Sequence, residues 1–124
     1  DVTQTLAKFK DEGKIGGFGF SEISPSSLRR AHAVHPVTAI QNEYSLWTRY
    51  PDLGMLQACK ELGVTFLPFS PLGRGMLADT FPSPNEFLET DFRKKQPRFL
   101  EPNLSYNIKR FNTVPLYYMQ ELEV

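Results

Sequence analysis

Helical and strand-like segments alternate from the first residue, at about 25 residues per strand-helix unit. Val2, Leu6 and Phe9 fall at i, i+4 and i+7, one face of a helix, with Asp1 as its N-cap. Gly13 stops that helix in a left-handed conformation. Residues 15–20 read as a buried strand thinned by Gly16, Gly17 and Gly19, which implies close approach of another backbone or a bulge. Ser24-Pro25 opens a second helix, with serine as cap and proline in the first turn, running to about residue 34 and ending before Pro36. The pattern then repeats. Residues 37–41 form a short apolar strand, and a polar and aromatic loop follows over 42–50. Pro51-Asp52 opens a third helix whose apolar face carries Met55, Leu56, Cys59 and Leu62, and Gly63 ends it. Residues 64–69 form a third strand, in which Pro68 removes one ladder donor. Strands separated by helices favour a parallel sheet with right-handed crossovers. The expected class is therefore α/β, with three parallel strands alternating with helices.

Beyond this repeat the pattern fades. Residues 79–102 carry four prolines and no clear period, so they read as a functional loop over a site or a mobile segment. A short helix is expected over 103–111, and one more helical turn after Pro115.

Composition narrows the function classes. A chain of 124 residues with 40% hydrophobic and 13% aromatic residues suits one folded domain. Fourteen Lys and Arg balance fourteen Asp and Glu, which gives no basic excess for nucleic acid. Arg93-Lys94-Lys95 with Arg98 is the one basic cluster, read as a solvated loop. The lone Cys59 excludes an internal disulfide and fits a reducing, cytoplasmic setting. No apolar run reaches the ~18–20 residues of a membrane span, and no signal-peptide pattern is present. The chain starts inside a helix, which points to a fragment.

In parallel α/β structures ligands bind at the carboxyl ends of strands. Those ends carry Ser21-Glu22, Gln41-Asn42-Glu43-Tyr44 and Phe69-Ser70. Leu72-Gly73-Arg74-Gly75 follows the third, where backbone N–H groups suit an anion and Arg74 adds a charge; a plain turn is the alternative. His32 and His35 sit at a helix end, where they serve its C-terminus better than catalysis. Cys59 belongs to an apolar face. Trp47 and Tyr50 either wall a substrate or simply pack. No Cys/His spacing suggests zinc, and no nucleophile elbow is present.

Four strings in order, GKIGGFGFSEIS, RRAHAVHPVTAIQNEYSLWTR, ELGVTFLPFSPLGRGML and DFRKKQPRF, resemble the aldo-keto reductases, in particular the plant and microbial branch with the SLW and SPLGRG signatures. The resemblance covers residues 1–111 and leaves 112–124 as a divergent tail. It implies a partial (β/α)8 barrel of the TIM type, about half, with the three strands matching the fifth to seventh of that barrel. It implies NADPH as cofactor and a small carbonyl compound as substrate. Ser21 and Gln41 resemble the residues that bond the nicotinamide carboxamide. Phe69 stands where an aromatic ring, often tyrosine, stacks on the nicotinamide. Ser70, Leu72, Gly73, Arg74 and Gly75 resemble the loop along the pyrophosphate. Many members have asparagine where Glu22 stands. The family's Tyr, Asp, Lys and His catalytic set has no counterpart here, so this chain alone is expected to be inactive. An open three-stranded sheet with bare edges is also expected to pair with itself or with a partner chain.

Overall fold

A computed structural model describes residues 1–78, 81 and 83–111. The tail 112–124, including the turn expected after Pro115, lies outside them. The chain divides into two compact units, Asp1–Gly73 and Arg74–Val124.

The first unit holds three helices and three strands: α1 (Val2–Asp11), β1 (Gly19–Ser21), α2 (Pro25–Val34), β2 (Ala39–Glu43), α3 (Met55–Leu62) and β3 (Thr65–Phe69). The caps are those the residues dictate. Asp1 accepts the Gln4 N–H, and the Gln4 side chain reaches back to the N-terminal amine, a reciprocal capping box. Ser24 accepts the Ser27 N–H, and Pro25 begins α2. Gly63 closes α3 with φ 66°.

The strands form one parallel sheet in the order β1-β2-β3. Its register sets two faces. Phe20, Ile40 and Phe66 stand in one row and pack with Leu28, Met55, Ala58 and Cys59 from the helices. Leu28 and Ile40 are completely buried and centre this core. Ser21, Gln41 and Leu67 stand in the next row, on the opposite face, and all three are exposed. Gly19 fulfils the expected close approach, because a Cβ there would strike the Ala39 carbonyl.

Several boundaries differ from the expected ones. β1 spans Gly19–Ser21 rather than 15–20, β2 is shifted two residues on, to Ala39–Glu43, and β3 begins at Thr65 rather than 64. The polar Asn42 is accommodated inside β2 because its amide oxygen accepts the Glu22 N–H at 2.9 Å. The turn opened by Pro51 is a separate 3-10 segment, Tyr50–Leu53. Gly54, at φ 112°, breaks the chain before α3 starts at Met55. Pro68 does lie within β3, opposite Asn42, on an edge strand of the sheet, where a missing donor is tolerated.

The second unit has a core of its own. It contains 3-10 turns at Pro84–Glu86, Phe92–Lys95 and Pro97–Phe99, then α4 (Asn103–Phe111). Phe81 stacks on Phe99 at 5.8 Å and meets Phe87 edge-on at 5.7 Å. Phe87, Phe99 and Leu104 are buried. The described part of the segment read from sequence as irregular is thus packed around aromatic rings.

Candidate functional site

Ser21 and Phe69 end β1 and β3, whereas Gln41, expected at a strand end, stands in the middle of β2, which runs on to Glu43. Ser21 and Gln41 are direct cross-strand partners. In this pleat both side chains share the exposed face, and neither bonds another described residue. One step along, Glu43 pairs with the half-buried Phe69 on the same face. A hydroxyl, a carboxamide and an aromatic ring are therefore presented together, with the donors and acceptors a primary amide needs.

Two of these strands end in the same unusual way. Glu22 follows β1 at φ 54°, and Ser70 follows β3 at φ 50°. Arg74, at φ 59°, is the third non-glycine residue with positive φ among those described. Such conformations cost ~1–3 kcal/mol each and gather where function fixes the backbone. Side-chain identity gave no sign of this, since none of the three is Gly or Asn.

Glu22 is held firmly. Its N–H donates to Asn42 Oδ1, while its own Oε1 accepts the Glu43 N–H. Beside it, a cleft of about 280 Å3 opens, walled by Ile23, Pro25, Tyr50 and Met55. Tyr50 is 79% exposed, so it borders this cleft rather than packing in a core. The loop after β2 is ordered by Ser45, whose hydroxyl accepts the N–H groups of Trp47 and Thr48, and by Thr48, which donates to Glu43 Oε1 at 3.0 Å.

Tyr44, at the end of β2, donates its hydroxyl to Asp52 at 2.7 Å. That hydrogen bond raises the phenol above its ordinary value, helped by desolvation and opposed by the Arg49 charge. Asp52 is correspondingly lowered, by the Tyr44 bond first and by Arg49 next. Tyr44 is therefore a weakened acid with a committed proton.

His32 and His35 lie at the end of α2, but their rings bond the chain beyond it rather than its last carbonyls. His32 Nδ1 accepts the Val37 N–H at 3.2 Å, and His35 is the C-cap, its ring against Phe18. Cys59 is buried, and desolvation pushes its thiol up.

In the loop after β3, Gly73 is buried, and Ser70, Arg74 and Gly75 are half-buried. Leu72 is 58% exposed. The Gly73 N–H closes on the Ser70 carbonyl at 2.9 Å. In the second unit, Arg74 borders a cleft of about 440 Å3 with Thr90, Asp91, Phe92 and Arg93. The basic cluster is not uniformly solvated there: Arg93 is tucked in and paired with Asp91 at 2.7 Å.

The family model described as the aldo/keto reductase family matches residues 1–119. The chain belongs to the aldo-keto reductase family. It is 43% identical over 111 residues to aldo-keto reductase yakc [NADP(+)] of Schizosaccharomyces pombe, an alignment spanning 87% of this chain and 33% of that protein. Its fold is similar to the glycerol dehydrogenase AKR11B4 from Gluconobacter oxydans, with a TM-score of 0.77 and 25% identity over 90% of this chain and 34% of that one. The chain thus spans about a third of the length of these family members. Its three parallel strands alternating with helices are part of an aldo-keto reductase barrel.

Proposed function

We propose that these residues form part of the cofactor cradle of an NADPH-dependent carbonyl reductase and that this chain alone does not turn over substrate. The observation that carries the reading is the exposed cross-strand pair Ser21 and Gln41, whose side chains bond no other described residue. Their hydroxyl and carboxamide suit the nicotinamide carboxamide. Phe69 offers a π-face to the nicotinamide ring, without the hydroxyl of a tyrosine at that place. Ser70, Leu72, Gly73, Arg74 and Gly75 are assigned to the phosphates, with backbone N–H groups and one guanidinium as donors. The similarity to a yeast protein named for NADP(+) supports the choice of cofactor.

When bound, NADPH supplies the hydride, and the protein must orient it and furnish a proton to the carbonyl oxygen. Tyr44 is a poor source for that proton, because Asp52 holds it. The Tyr, Lys, Asp and His set of the family has no counterpart in this sequence. A missing acid removes on the order of 10²–10⁴ from the rate. The carbonyl substrate and a cytoplasmic location belong to the same reading. Fluorescence titration of NADPH tests it: quenching that weakens in S21A and Q41A is expected, and a chain indifferent to NADPH would refute it.

A second reading rests on the open sheet. With β1 and β3 at its edges and Ser21, Gln41 and Leu67 exposed on one face, the sheet invites pairing with a second copy or a partner chain. Gel filtration at micromolar concentration distinguishes an oligomer from a compact monomer.

A further inference from the structure

We infer that Asp91-Phe92-Arg93 is a brace that holds Arg74 in its anion-facing conformation, with Arg93 as a positioning residue that acts through Arg74. The inference rests on the phosphate-binding reading of Arg74 given above.

Arg74 carries the strain of a left-handed backbone without being glycine, so something must hold it there. Two neighbours in the second unit do so. Arg93 Nη1 donates to the Arg74 carbonyl at 3.1 Å. The Phe92 ring lies 4.8 Å under the Arg74 guanidinium. One residue thus fixes the backbone and its sequence neighbour orients the side chain.

Arg93 is itself immobilised. Its Nε and Nη2 grip the Asp91 carboxylate at 2.7 to 3.1 Å. Its guanidinium sits 4.0 Å from the Phe87 ring centroid, and its side chain is 21% exposed. Asp91 also accepts the Arg93 N–H at 2.9 Å, which sets the turn. Gly75 completes the fit: at φ 96° it takes a conformation that L side chains rarely adopt, and a Cβ there would press on Arg93 Nη1 at 3.3 Å. Arg93 is paired with Asp91, and both arginines line the same cleft.

The test uses the 124-residue chain with inorganic pyrophosphate and NADPH as probes in titration calorimetry, and trypsin cleavage after Arg74 followed by mass. Arg93→Gln should weaken pyrophosphate binding about five- to tenfold and speed cleavage at Arg74 relative to cleavage at Lys60. Phe92→Leu, at a 45% exposed position, should weaken binding less and leave the unit folded. Both losses should vanish in an Arg74→Ala background, where nothing remains to be positioned. Losses that persist undiminished in that background would overturn the brace, since a general structural defect or a direct anion contact by Arg93 would remain additive. A wild-type chain that binds neither probe refutes the cofactor reading, and the brace is then judged on cleavage alone. An unchanged rate at Arg74 in Arg93→Gln would overturn it, and a faster rate confined to that bond would support it.

Discussion

Glu22 and Glu43 are joined across the ends of β1 and β2, the Glu43 N–H donating to Glu22 Oε1 at 2.5 Å. In return the Glu22 N–H donates to the side chain of Asn42, which precedes Glu43. This two-way clamp holds a residue at positive φ directly after Ser21 and beside Gln41. It also gives a reason for glutamate where many family members carry asparagine: the longer side chain reaches the neighbouring strand. Glu22→Ala should cost about 1 kcal/mol and lower the melting temperature by a few degrees, while Glu22→Gln, which keeps an acceptor, should lose less. Thermal unfolding by circular dichroism checks the order of the two.

Asn42 is the other half of the clamp and is nine-tenths buried. Asn42→Ala leaves the Glu22 N–H with the Gln41 carbonyl as its remaining acceptor and should cost about 1 kcal/mol. Asn42→Asp keeps the oxygen and should recover part of the loss. Urea denaturation of the three chains measures this.

The core of the first unit centres on Leu28 and Ile40, both at 0% exposure. Truncating Leu28 to alanine should destabilise the chain by ~2–5 kcal/mol, the transfer free energy plus the cavity left behind. Leu53→Ala, at a 79% exposed position, should change stability by less than about 0.5 kcal/mol. Comparable losses at the two positions in urea would contradict this packing.

Much of this fold was legible because local chemistry and tertiary structure agree. Asp1, Ser24-Pro25 and Gly63 mark helix ends that the structure keeps. The parallel sheet followed from the alternation of elements. The strand limits were less legible, since apolar runs do not show where the ladder forms. Asn42 and Glu43 read as loop, yet the register with β3 makes them strand residues. Gly54 was invisible as a break because it falls within an apolar helical period. The second unit was the least readable. Its Phe81, Phe87 and Phe99 meet from irregular backbone, so no period announced them. Ser21 and Phe69 stand at strand ends as read from sequence, Gln41 falls two residues short of the end of β2, and the left-handed backbones of Glu22, Ser70 and Arg74 were not legible.

The Asp91–Arg93 pair sets an acid limit on the second unit. Hydrogen bonds from the Arg93 side chain, then from its backbone, hold the Asp91 carboxyl below its ordinary value. A depressed carboxyl contributes stability that is fully present above the ordinary aspartate range and is lost as pH falls through the folded value. Amide protection around residues 91–99, taken relative to the intrinsic exchange rate at each pH, should therefore fall as the pH drops below the ordinary aspartate range, and Asp91→Asn should flatten that dependence. An identical acid response in both chains would exclude Asp91 as its origin.

Cys59 should behave as a core residue. Burial raises its thiol, so little reactive thiolate forms near neutral pH. A chromogenic disulfide reagent should label it slowly in the native chain and rapidly in urea. Fast labelling of the folded protein would place Cys59 outside the core.

We propose that the chain presents groups for nicotinamide and none that hands a proton to the reacting oxygen. NADPH absorbance at 340 nm, followed with and without an aldehyde in the presence of the purified 124-residue polypeptide, tests this. Cofactor binding without aldehyde-dependent oxidation is the expected result. Sustained oxidation that scales with aldehyde and with this polypeptide, free of any companion protein, would contradict it.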